Sequence, residues 1–320
     1  MATCSWWAWR RKARITMLEP YLVATPYFGW DVLRDLQELF RYAFMQHAFE
    51  AGTMVALSAG VIGYFVVLRG LSFAAHALSH IGFAGATGAV LVGAGPLVGL
   101  LTFTMAAGGV MGALGQRLRG RDVTIGLVMA WSLGLGVLFT RLYQGSANLA
   151  IGILFGQIFG ITTQEVAVTF IAGALTVLAL VVIYRPLLFA TLDEEVAEAK
   201  GVPVRGLAII FMVILAVAVS EAVQVVGVLL IFALIVAPAA IADRFTTRPS
   251  RGLLLSAVLA VLFTWAGLTI AYYLPYPVGF FITTIAFWSY VLARVLSAVV
   301  ARRATGRVRP WREEQVRHSP

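Results

Sequence analysis

Two of the chain's four histidines, His76 and His80, stand four positions apart in LRGLSFAAHALSHIGFAGATGA, residues 68–89, where nearly every other residue is apolar or small. On a helix, positions i and i+4 share a face with their Cβ atoms about 6 Å apart, so both imidazoles could hold one ion. Neutral imidazole is the commonest protein ligand for borderline divalent cations such as zinc. Two interhelical hydrogen bonds, one from each ring, would account for the same spacing. Gly82, Ala84, Gly85, Ala86, Gly88 and Ala89 follow, and residues this small let another helix approach closely.

Few other side chains could add to such a site. His47 and Glu50 are spaced i, i+3 at the start of an apolar run, a pattern that suits a cation or a solvated helix end. Glu221 interrupts a second apolar region, and Gln157 sits in LFGQIFG. His47, Glu50 and Glu221 are therefore secondary candidates for metal contact, and Glu221 also fits a loop or interface residue. Cys4 is the single cysteine, which excludes a disulfide framework or a thiolate cluster. No G-x-x-x-x-G-K-[ST] phosphate loop occurs. The chain is thus not expected to be an enzyme or to carry a permanently bound cofactor.

The elements that must position these residues are membrane helices. The chain is 60% hydrophobic and 12% charged, with a mean hydropathy of +0.89, far from the quarter of charged residues in a soluble domain. Apolar runs of crossing length fall at 47–68, 74–93, 96–115, 124–142, 165–184, 206–222, 225–242, 251–274 and 278–300. The alternating strands of a β-barrel are absent. The expected fold is all-α: a polytopic helical protein of the plasma membrane with eight or nine transmembrane helices. An ionisable side chain at the centre of such a bundle costs about 2.5–3.5 kcal/mol, so it faces a partner or a pathway.

Three regions follow: an N-terminal extension, 1–46, a transmembrane domain, 47–300, and a basic tail, 301–320. Val32, Leu33, Leu36, Leu39, Phe40 and Ala43 recur at helical spacing before the first span, the pattern of a helix lying in the interface. Residues 1–16 lack the apolar core of a signal peptide and fit an extended start upstream of Met17. Of the net charge of +9, the clusters Arg117 to Arg121, Arg244 to Arg251 and Arg294 to Arg317 belong on the cytoplasmic side. That places the C-terminus inside and gives the basic tail no need of a nucleic-acid partner. Nine crossings would then leave the N-terminus outside, against Arg10 to Arg14, Arg34 and Arg41. Either one span is incomplete or charge is a poor guide at this end. Residues 147–160 are too short to cross, and 206–242 is one apolar region broken by Glu221 and Gln224.

The order of motifs resembles the permease subunits of zinc/manganese/iron ABC importers. Arg69, Ser72, Leu78, Ser79, His80 and Gly85 match that family's second span, whereas Ala75 and His76 stand where its pattern has Gly-Asp. LFGQIFGIT is similar to a Phe-Gly-Asp segment, with Gln157 in the acidic place. QVVGVLLIFALIVAPAAIADRF matches at Gly227, Pro238, Ala239, Ala240 and Ala242, and TLDEEVAEAKGVPV at Asp193, Ala197 and Gly201. The resemblance implies the ABC metal-permease fold and a membrane subunit with zinc or manganese as its cargo. His76 and His80 would form a transient site, and Asp193, Ala197 and Gly201 a knob that couples to the ATPase. Gly227 and Pro238 would be helix breaks or hinges. It also implies a separate ATP-binding cassette subunit, an external solute-binding protein, and a second copy or related permease as partner. A His–His pair in place of Asp–His would favour zinc over manganese. Three other readings remain open from the residues: a secondary metal carrier, a metal-chelate permease and a non-transporting membrane scaffold.

Overall fold

A computed structural model of the chain describes residues 39–114, 121–143, 148–274 and 276–305. The basic cluster at Arg10 to Arg14, Met17, most of the amphipathic stretch, Arg117, Arg119 and the tail from residue 306 lie outside the described residues. Among those described, every regular element is helical: α1 (Ala43–Leu68), α2 (Ser72–Leu91), α3 (Pro96–Leu114), α4 (Arg121–Leu142), α5 (Asn148–Phe155), α6 (Thr163–Leu192), α7 (Glu194–Ala199), α8 (Val204–Val226), α9 (Val228–Phe245), α10 (Pro249–Tyr273) and α11 (Val278–Thr305), with a 3₁₀ turn at Ile158–Gly160. All but α2, α5 and α7 are long and apolar enough to cross a membrane, which makes eight such helices. At 20 residues, α2 matches them in length, about 30 Å, and its histidines and small residues make it less apolar. It tolerates them because α3 and α4 pack along it and keep most of it from lipid.

The helices sort into a centre and a periphery. Of the crossing window of α1, 72% is buried, against 17% for α4. Contacts fix the directions. His47 on α1 meets Thr163 on α6 at one end (3.4 Å), and Arg69 meets Thr191 at the other (3.3 Å), so these two helices run parallel. Trp265 donates its indole N–H to Thr53 Oγ1 at 2.8 Å, and Ser256 Oγ donates to the Gly60 carbonyl at 2.7 Å. These two bonds set α10 antiparallel to α1. The hydroxyls of Thr104 and Ser220, 2.6 Å apart and buried, tie α3 to α8.

Three local features differ from the apolar pattern. The apolar run ending at residue 184 continues as helix through Pro186 to Leu192, giving α6 30 residues and a length of about 45 Å. A Thr162–Glu165 capping box starts it, satisfying two of the free amides of its first turn. The region 206–242 breaks at Gly227 (φ +86°), not between Glu221 and Gln224, because only glycine enters that conformation freely. Pro238 lies inside α9, which stays helical through it, so the break expected there is absent.

The short segment after α4 behaves as its length dictates. α5 has eight residues and ends at Gly156 (φ +77°). Gly156 and Gly227 lie back to back, and a Cβ on either would strike the backbone beside the other. Two chain breaks thus meet at one point.

Candidate functional site

The orientation of α2 is set by its glycines. Gly85 and Gly99 bring the backbones of α2 and α3 into contact, with no room for a side chain on either. On another face, Phe83 packs against Gly136 of α4. His76 and His80 project from the side of α2 opposite Gly85, on the face that Phe83 continues one turn further on, and at His76 that face meets α9. Their rings stand edge to face with centroids 4.6 Å apart, and His76 also meets the Phe232 ring of α9 at 4.8 Å. Both residues are half-buried. The Nδ1 atom of each ring is buried with no hydrogen-bond partner among the described residues. Ser79 Oγ, between them in sequence, donates to the His76 carbonyl at 2.7 Å and so does not serve either ring. An imidazole nitrogen left this way is costly unless something binds it, and a cation is one such partner.

The other candidates are not gathered at this pair. His47 and Glu50 lie in the first turns of α1, His47 beside Thr163 and Glu50 on the wall of a separate cavity. Glu221 is 4% exposed, and its carboxylate lies over Gly173 of α6 and against Met54 of α1. Both its oxygens lack partners among the described residues. No three His, Cys, Asp or Glu side chains among those residues come together to hold a metal. Among the described residues, no carboxylate joins the two imidazoles.

Phe232 escaped the sequence reading, since α9 is an unbroken apolar run from Val228 to Ala242 in which no polar residue marks a face. Gln157 lines a cavity of about 160 Å³ with Gln224 and Glu165, beside the Gly156–Gly227 contact. The two amides are the nearest signal in the sequence for that cavity.

The knob expected at 193–201 is present. Asp193 Oδ1 caps α7 by accepting from the Val196 N–H at 3.0 Å, and Gly201 (φ +82°) ends it, with Val202 N–H donating to the Ala197 carbonyl at 3.0 Å. Ala197 itself is 0% exposed, packed with Ala190, Val204 and Leu207. It anchors the knob to this chain and offers no surface to another, while Leu192 and Val196 are exposed.

The sequence pattern of the ABC 3 transport family matches residues 41–297. The manganese transport system membrane protein MntC of Halalkalibacterium halodurans is 30% identical over 72% of this chain and 80% of its own length. The manganese import system permease protein ScaB of Streptococcus parasanguinis is 30% identical over 75% of this chain and 85% of its own. The structure of PsaBC from Streptococcus pneumoniae in complex with Fab is similar with a TM-score of 0.74 and 26% identity, covering 82% of this chain and 95% of that one.

Proposed function

The chain belongs to the ABC 3 transport family, and from that premise we propose that it is the permease subunit of a divalent-metal importer whose ATP hydrolysis is done by a separate subunit. The observation that carries the metal site is the pair of edge-to-face imidazoles on α2, with buried Nδ1 atoms that have no partner among the described residues. Two donors are too few to hold an ion for long, which suits a site that must release what it binds. A second copy, or a related permease, facing this edge would bring further donors and leave the ion dehydrated only while it crosses. An external solute-binding protein would deliver it.

The end of the bundle bearing Arg69, α7, Arg244 and Arg248 is the cytoplasmic one on charge grounds. The exposed Leu192 and Val196 then face the ATPase, and the cavity at Gln157, Gln224 and Glu165 lies at the outer end. On this reading the start of α1 lies outside, with nine crossings among the described residues, α2 included, and a re-entrant α5. The relatives named above carry manganese in their names. An all-imidazole donor set favours nitrogen-seeking zinc over oxygen-seeking manganese, so we infer zinc as the better cargo.

The test is metal uptake by cells producing the chain with its ATPase. The wild type accumulates zinc or manganese, and the His76→Ala, His80→Ala double variant, equally abundant and still co-purifying with the ATPase, does not. Wild-type uptake by that variant overturns the reading.

A further inference from the structure

We propose that the flank between α1, α6 and α10 holds one phospholipid with an ammonium head group, of the phosphatidylethanolamine kind, taken from the surrounding bilayer. A cavity of about 750 Å³ opens there, within the size range of small-molecule sites. Its wall is apolar, built on Met54, Val166 and the exposed Phe170 and Ile171, and Glu50 is the single charged residue of its described lining.

The polar end of this cavity has a definite chemistry. The Phe40 and Phe49 rings lie 5.1 Å apart, and the Trp265 ring stands edge-on to Phe49 at 6.2 Å. The bond from the Trp265 indole N–H to Thr53 Oγ1 holds that ring in place. A carboxylate beside aromatic rings attracts an ammonium by charge and by cation–π contact. It repels a head group whose net charge is negative. Thr163, also in the lining, presents a hydroxyl 3.4 Å from His47 Nε2, a polar pair beside which the phosphate that follows the ammonium can sit.

The cavity also lies at the right depth. Tyr42, Tyr272 and Tyr273 cluster near this end of α1 and α10, as aromatic residues do at a membrane interface. From Glu50 to Met54 along α1, and from Thr163 to Ile171 along α6, the wall passes from polar to apolar over one to two turns. That gradient fits a molecule with a charged head and a hydrocarbon tail. A wholly apolar or a water-soluble ligand would leave one end unmatched.

Native mass spectrometry of the full-length chain, stripped of lipid and titrated with phosphatidylethanolamine or phosphatidylglycerol of identical acyl chains, tests the site. One ethanolamine lipid per chain is expected to survive transfer, with the glycerol lipid retained more weakly. Glu50→Gln and Trp265→Ala should each lower retention about fivefold or more, and His76→Ala should leave it unchanged. Equal retention of the two lipids, or full retention by both variants, overturns the proposal. So does crosslinking that finds residues 1–38 of the chain seated in the cavity. The readout is independent of metal uptake, so its failure leaves the transport reading standing.

Discussion

His76 and His80 on one side, and Glu221 on the other, are intramembrane ionisable groups with buried polar atoms that no described residue satisfies. They differ in access. The imidazoles are half-buried beside Phe232 at an edge of α2, whereas Glu221 is sealed under Gly173 and Met54. Burial alone therefore does not mark a transport ligand. On the reading proposed above, what would mark one is a donor on a helix face of which one side stays reachable from outside the chain.

Three substitutions would break or sharpen that contrast. The largest effect should come from Gly85→Ala, which drives a methyl group into the Gly99 carbonyl and pushes α2 off α3. Overpacking of this kind costs about 1–3 kcal/mol, visible as a lower unfolding temperature of the purified protein, and uptake should fall with it because both rings move. His76→Asp keeps the access and changes the donor. The ratio of manganese to zinc accumulated should rise roughly tenfold, and an unchanged ratio would show that the pair does not set selectivity. The smallest effect is expected from Glu221→Gln, which keeps shape and removes the ionisable group. Uptake within about twofold of wild type, with undiminished thermal stability, is the result for a sealed residue off the pathway. A larger loss of uptake would place Glu221 on the ion's route and erase the contrast.

Much of this architecture could be read from residue order, for reasons that differ from place to place. The histidine pair was legible because a spacing of four needs only a helix to become a shared face, and the glycines after it announced close packing. The shortness of α5 was visible as a run that could not cross. The break in 206–242 was legible in two ways: Glu221 and Gln224 are the polar interruption, and the resemblance named Gly227, where the backbone takes a positive φ. Pro238 misled because α9 absorbs its missing N–H without ending. Ala197 could be assigned to the knob but not to its buried side, since a six-residue helix is too short to display a face. The fate of Glu221 depends on Met54 and Gly173, far away in sequence, and no local pattern reports such a meeting.

The unusual length of α6 has a mechanical consequence. It runs as one rod from the capping box at Thr162 to the knob, about 45 Å, half again the thickness of the hydrocarbon layer. A rod of that span turns a small rotation into a large stroke: tilting it by about 5° about its outer end would carry its tip about 4 Å sideways. On the transport reading proposed above, a displacement of a few Å imposed at the exposed Leu192 would therefore reach the capped end of α6 only as a rotation of a few degrees.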